Sequence, residues 1–187
     1  MVEYQYLTMK EIMQLLHDLR DKIVKSGFKP DCLVGMSRGG FIPVRILSDI
    51  LDVGDVYIIG VTYYRDIKVT KKEPEITQDI DKKDLKGKTI LLVDDVSDTG
   101  KSLKFTVNHL NQNGIKFLKT ATLHLKPWSV FIPDYYVKTT KKWIIYEWEL
   151  SEVIRKILKK FKTQDKIKEE LSRTGIPEEI IKRYANI

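Results

Sequence analysis

The 187-residue chain carries 33 lysines and arginines against 26 aspartates and glutamates, and its formal net charge of +7 favours polyanionic ligands such as phosphates or nucleic acid. Hydrophobic residues make up 42% and charged residues 32%, which excludes a disordered chain and predicts one soluble globular domain with at most an appendage. A single cysteine excludes an internal disulfide, no apolar run approaches the ~20 residues of a membrane span, and "MVEYQYLTMKEI" lacks the order of a signal peptide, so a cytoplasmic location is expected.

Thr8-Met9-Lys10-Glu11 has capping-box spacing. Ile12, Leu15, Leu16, Leu19 and Ile23 then form a helical stripe that Gly27 stops. "CLVGM" (32–36) reads as a short buried strand, with Cys32 a core thiol and not a nucleophile. "SRGG" breaks it, and "FIPVRILSDIL" (41–51) reads as a helix with Pro43 in its first turn. "VYIIGV" (56–61) is a second strand. Residues 63–88 are polar and without periodicity, a long loop of the kind that serves as a lid or stays disordered. "TILLV" (89–93) is a third strand, "GKSLKFTVNHLNQNG" (100–114) a helix ending at Asn113-Gly114, and "FLKTATLHL" (117–125) a fourth strand. This alternation predicts an α/β fold: a mostly parallel twisted sheet flanked by helices.

After Lys126 the pattern changes. "KPWSVFIPDYYVKTTKKWIIYEWEL" is aromatic and irregular, and reads as a subdomain placed over the sheet, about 126–150. Residues 151–187 read as a helical extension, with ten Lys/Arg against six Asp/Glu. In "SEVIRKILKKF", Val153, Ile154, Ile157, Leu158 and Phe161 share one face that must be buried somewhere. The expected division is therefore 1–150 and 151–187.

The chemistry concentrates in "LLVDDVSDTGKSLKF". Asp94, Asp95 and Asp98 crowd the end of a buried strand, directly before a turn into a helix. Backbone N–H groups of Ser97, Asp98, Thr99, Gly100, Lys101 and Ser102 lie at that helix N-terminus, where a phosphate is favoured. Thr99 and Ser102 add hydroxyl donors. The carboxylates need a partner rich in donors, such as a sugar diol or hydrated Mg2+. A phosphorylated ribose satisfies both demands. A nucleotide-hydrolysing P-loop does not fit, because its first glycine falls on Asp95, where a carboxylate would repel a triphosphate.

"ILLVDDVSDTGKS" resembles the phosphoribosyl-pyrophosphate signature of the type I phosphoribosyltransferases. The resemblance implies that Asp94 and Asp95 hold ribose hydroxyls, that 97–102 wraps the 5′-phosphate, and that Asp98 manages a proton on the base. "VGMSRGGFIPVRIL" resembles the pyrophosphate loop of the xanthine–guanine enzymes. There Ser37, Arg38 and Gly39 would hold pyrophosphate, Arg38 would act in catalysis, and the peptide before Arg38 would be cis. "LKPWSVFIPDYYVKTTKKWIIYEWE" resembles the hood of the 6-oxopurine members: Lys126 donating to O6, Trp143 stacking on the base, Ile144 reading it through its backbone. Trp148-Glu149 ends that hood, and Glu149 is the candidate for a second Mg2+. Glu147 and Glu149 depart from the family's usual proline and aspartate around Trp148.

The resemblance covers about residues 10–150. It implies a Mg2+-assisted purine-salvage glycosyltransferase converting xanthine, guanine or hypoxanthine and phosphoribosyl pyrophosphate to the purine 5′-mononucleotide. It further implies a homodimer or homotetramer, and a mobile loop in which Tyr63, Tyr64 or Arg65 closes over the site. The alternative is a phosphoribosyltransferase-like, ligand-sensing regulator that binds nucleic acid. The intact Arg38, Asp98 and hood argue against it, and the acids among the tail's basic residues make nucleic acid an unexpected partner.

Overall fold

The apolar runs become strands because each is too short for a buried helix and is bounded by glycine or charge. The computed structural model describes residues 2–63 and 74–185. Within them lie β1 (Tyr4–Leu7), α1 (Met9–Lys25), β2 (Cys32–Ser37), α2 (Phe41–Ile50), β3 (Val56–Tyr63), β4 (Pro74–Gln78), α3 (Lys82–Leu85) and β5 (Thr89–Ser97). There follow α4 (Lys101–Asn111), β6 (Phe117–Leu125), β7 (Tyr135–Thr139), β8 (Trp143–Tyr146), a 3-10 turn (Glu147–Glu149), α5 (Leu150–Lys160), α6 (Gln164–Arg173) and α7 (Glu178–Ala185). They form two compact units, Leu15–Thr140 and Met1–Gln14 with Lys141–Ile187.

In the larger unit six strands run in the order β4-β3-β2-β5-β6-β7. β2 pairs in parallel with β3 and β5, and β5–β6 and β6–β7 are parallel too; β4 alone is antiparallel. Helices cover both faces of a parallel sheet, which is why β2 and β5 carry unbroken apolar runs. Cys32, Val34, Met36, Ile90 and Leu92 pack with Ile59, Leu85, Leu103 and Leu110 in one buried core. Each such aliphatic chain contributes ~1.5–3 kcal/mol on full burial. The capping box is formed: the Thr8 N–H donates to Glu11 Oε2 at 2.8 Å, and the Glu11 N–H approaches Thr8 Oγ1 at 3.3 Å.

Three expectations are corrected. The polar stretch 63–88 contains β4 and α3 where only loop was expected. β4 sits on the sheet edge and is half-exposed, so "PEITQ" needs few apolar residues; Pro74, at its first position, suits an edge. Residues 64–73, with the candidate lid residues Tyr64 and Arg65, lie outside the described residues. β5 runs four residues past "TILLV" and carries Asp94 and Asp95 within the strand. The segment 126–150 is more regular than its composition suggests: β7 extends the large sheet, while β8 pairs in parallel with β1, a strand with no apolar run of its own.

In the smaller unit, Ile145 of β8 packs with Val153, Ile154 and Ile157 of α5, Ile167 and Leu171 of α6, and Ile176. Tyr4 and Tyr6 of β1 close that cluster. The C-terminal apolar stripe is thus buried within its own chain. Glu170, buried in α6, accepts from Tyr4 Oη at 2.5 Å and from Arg173 Nη1 at 2.8 Å, and Arg173 Nη2 donates to the Val2 carbonyl at 2.9 Å. Burial and the Glu170 carboxylate push the Tyr4 hydroxyl up to about 12. The Glu147 carboxylate accepts from the Met9 N–H in the first turn of α1, where the helix dipole favours an anion.

Candidate active site

The sheet order reverses between β2 and β5: β2 leads on to β3 on one side, while β5 and its successors lie on the other. Ligands of α/β sheets bind outside the carboxyl ends of strands at such a point. Both loops expected to bind anions emerge there, Arg38-Gly39 directly after Ser37 ends β2 and Asp98-Thr99-Gly100 after β5.

The two loops touch. A Cβ on Gly39 would stand 2.6 Å from Cγ and both oxygens of Asp95, so only glycine lets the first loop pass the carboxylate. A Cβ on Gly40 would meet the Val93 carbonyl at 2.5 Å. The Ser37–Arg38 peptide is cis, as the resemblance implied, and Arg38 is exposed.

The adjacent carboxylates near the end of β5 differ in burial. Asp95 is buried at 6% exposure against Gly39. Asp94 is half-buried and accepts the Asp95 N–H at 3.0 Å through Oδ1. The strand ends at Ser97, and Asp98 and Thr99 are exposed in the turn. Gly100 caps α4 with φ 75°, a left-handed conformation that glycine adopts without penalty. The Lys101 N–H points to Thr99 Oγ1 at 3.4 Å, and Lys101 is exposed and Ser102 half-buried in the first turn of α4.

A strap from Lys126 to Phe131 is laced onto this turn. The Lys126 N–H donates to the Ser97 carbonyl at 3.0 Å, and the Val130 N–H to the Thr99 carbonyl at 3.0 Å. Ser97 Oγ lies 2.8 Å from Ser129 Oγ, and the Phe131 carbonyl is 2.9 Å from the first and 2.8 Å from the second. Each hydroxyl has one proton to give and the carbonyl has none, so two of these three contacts are hydrogen bonds at any moment. The Ser97 side chain is therefore directed to the strap, and its share in a phosphate site is left to the backbone. A Cβ on Gly100 would lie 2.6 Å from the Phe131 nitrogen, so the strap is seated on that glycine.

Lys126 is buried at 6% exposure. Burial lowers its ammonium pKa, and the negative charge of Asp98 opposes the shift. Its Nζ lies 5.6 Å from the centre of the Trp128 ring, and Trp128 Nε1 donates to Asp98 Oδ1 at 3.2 Å. Asp98 and Lys126, 28 positions apart in the chain, are thus joined through one indole. Trp143 and Ile144 belong to the smaller unit. Trp143 is half-exposed on β8, which excludes a core aromatic, and Ile144 is buried opposite Gln5 of β1. Glu149 ends the 3-10 turn before α5.

The family model described as "Phosphoribosyl transferase domain" matches residues 4–155. The crystal structure of a purine phosphoribosyltransferase from Pyrococcus horikoshii Ot3 is similar at 40% identity and TM-score 0.71, over 78% of this chain and 93% of that one. The chain belongs to the phosphoribosyltransferase family. It is accordingly a glycosyltransferase. Hypoxanthine-guanine phosphoribosyltransferase of Saccharomyces cerevisiae is 28% identical over 80% of this chain and 87% of that one. A Neisseria gonorrhoeae protein solved with bound ppGpp is 28% identical, with TM-score 0.73, over 80% and 90% of the two chains.

The donor set of this phosphoribosyltransferase suits Mg2+ of a particular kind. Among the described residues no group of three or more His, Cys, Asp or Glu could hold a metal ion, and Glu149 is in none. Mg2+ needs no such cage, since one or two carboxylates plus substrate phosphates and water suffice. Asp94 and Asp95, beside the loops that follow β2 and β5, fit an ion that arrives on a diphosphate. Trp128 was missed in the sequence because the hood resemblance assigned base stacking to Trp143. Its one local signal was a tryptophan two positions after the candidate O6 donor.

Proposed function

We propose that this phosphoribosyltransferase salvages 6-oxopurines: xanthine, guanine or hypoxanthine reacts with phosphoribosyl pyrophosphate to give the purine 5′-mononucleotide and pyrophosphate. The reading rests chiefly on the seating of the pyrophosphate loop against Asp95, with Lys126 strapped to the adjoining signature loop. The names of the similar proteins point the same way.

In this mechanism the C1′–O bond to pyrophosphate breaks, a C1′–N bond to the base forms, and the base loses a proton. The backbone of 97–102, with the Thr99 and Ser102 side chains and the N-terminus of α4, holds the 5′-phosphate. Asp94 and Asp95 take ribose hydroxyls. Ser37, Arg38 and Gly39 hold the pyrophosphate, and Arg38 stabilises the charge that develops as it leaves. Mg2+, when bound, would add further neutralisation of the diphosphate, with Asp94 and Asp95 as candidate protein contacts, and Glu149 is the candidate for a second ion. Asp98 accepts or shares the base proton as a general base. Lys126 donates to O6, Trp143 stacks on the ring, and the Ile144 backbone reads its edge. Stacking on an aromatic side chain is worth ~1–3 kcal/mol per base. Residues 1–150 carry this chemistry, and 151–187 support it.

The reading includes a cytoplasmic location and a homodimer or homotetramer. Among the described residues, no helix is long and apolar enough to cross a membrane. Steady-state turnover of xanthine, guanine, hypoxanthine and adenine with phosphoribosyl pyrophosphate tests it. The three oxopurines share the O6 that Lys126 would contact, and adenine carries an amine there, so turnover of at least one oxopurine and rejection of adenine are expected. Equal use of adenine would overturn the substrate class.

A further inference from the structure

The strap brings three side chains of different chemistry together. Asp98 is exposed in the signature turn, Lys126 is buried at the end of β6, and Trp128 stands between them with half its surface exposed. The Trp128 indole has one donor, and it goes to Asp98 Oδ1 at 3.2 Å. Its ring face lies 5.6 Å from Lys126 Nζ, within the range of cation–π attraction. One rigid side chain therefore fixes a carboxylate by its edge and an ammonium by its face. The strap that carries it is itself held by the Ser97 and Ser129 hydroxyls at the Phe131 carbonyl and by the Val130–Thr99 backbone bond, so Trp128 has little freedom to leave.

We propose that Trp128 is the positioning residue of this site, setting the distance and orientation between Asp98, which handles the base proton, and Lys126, which reads O6. The inference rests on the 6-oxopurine reading and names a side chain which that reading does not use. With Oδ1 held by the indole, Oδ2 is the oxygen turned to the base. With the ammonium held over the ring, Lys126 is kept from folding down into a full ion pair with Asp98, which would remove both groups from the substrate at once.

Two readouts test it. In Trp128→Phe the ring face remains and the N–H is lost. Losing a hydrogen bond to a charged group costs about tenfold in rate, so kcat should fall by ~10-fold while KM for phosphoribosyl pyrophosphate stays constant. Trp128→His, which can restore a ring N–H, should recover part of that loss, and Trp128→Leu, which removes donor and face together, should also raise KM for the purine. Independently of activity, 15N-labelled protein should show three indole N–H signals, one for each tryptophan. The one absent from Trp128→Phe should shift in Asp98→Ala. Wild-type kcat in Trp128→Phe, or an indole signal indifferent to Asp98→Ala, overturns the inference and leaves the 6-oxopurine reading standing. Equal losses in all three variants with lowered Tm would reduce Trp128 to packing. Wild-type protein that turns over no oxopurine would sink the substrate reading, whatever the indole signal shows.

Discussion

At the residue scale, one close approach joins the two loops: Gly39 passes directly beside Asp95. Asp95 is 6% exposed, so its carboxylate has no solvent to swing into. Gly39→Ala would place a methyl carbon 2.6 Å from three of its atoms. Forcing extra volume into packed surroundings costs ~1–3 kcal/mol, and here the cost falls on the proposed pyrophosphate loop and the proposed ribose-binding Asp95 together. Gly39→Ala should therefore lower kcat/KM for phosphoribosyl pyrophosphate by ~10-fold or more while the far-UV spectrum is retained. Wild-type kinetics in that variant would mean that the loop adapts and that the close approach has no functional weight.

At the scale of elements, the informative pairing is between the two ends of the chain. β1 and β8 form a two-stranded parallel sheet, and α5, α6 and Ile176 pack on it through one apolar cluster. An isolated pair of strands is marginal in water and needs such a cover. The same segment places Trp143 and Ile144, the proposed base-reading residues, on β8. Ending the chain at Leu150 would uncover Ile145, Tyr4 and Tyr6 and remove the Glu170 carboxylate from Tyr4. The truncated protein should show a lower Tm by thermal denaturation and a raised KM for the purine, with KM for phosphoribosyl pyrophosphate less affected. Full stability without residues 151–187 would show that the cover is dispensable.

At the scale of the whole molecule, stability should depend on a histidine that the mechanism does not use. His124 is fully buried in β6, and burial, with the positive charges of Lys126 and Lys138, pulls its pKa from the ordinary 6.5 down to about 4. Unfolding frees the imidazole to bind a proton at the ordinary value. The unfolded state therefore holds more protons between those two pH values, and stability falls as pH drops through that window. It is complete above 6.5. Urea denaturation should show wild type losing about 2–3 kcal/mol more than His124→Leu between pH 7 and pH 4, a difference in slope that survives any change in absolute stability. Parallel pH profiles would mean that the imidazole finds a charged form the fold accommodates. The charge of +7 belongs to this scale too. In the tail, Glu169 and Glu170 and then Glu178 and Glu179 interrupt the basic residues, so the full chain should not behave as a salt-sensitive nucleic-acid binder.

By itself the sequence determined the alternating strands and helices, the capping box, and the two glycine-bearing loops that follow β2 and β5. Each of these is local: a buried parallel strand must be an apolar run, a helix start needs its cap, and a phosphate nest needs glycine and N–H groups in a few consecutive positions. The apolar face of α5 was legible for the same reason, since helical spacing sorts it within 11 residues. Other features depended on partners distant in the chain. β1 and β4 lie on weak, half-polar segments whose strand character comes from pairing with β8 and β3. The adjacent letters Asp94-Asp95 could not show that Asp95 is buried against Gly39 while Asp94 is half-buried. The value of Gly39 came from a carboxylate 56 positions later. Trp128, unremarked in the sequence, gained its place only when the strap folded onto the signature turn, because an indole edge and face acquire meaning from what packing sets against them.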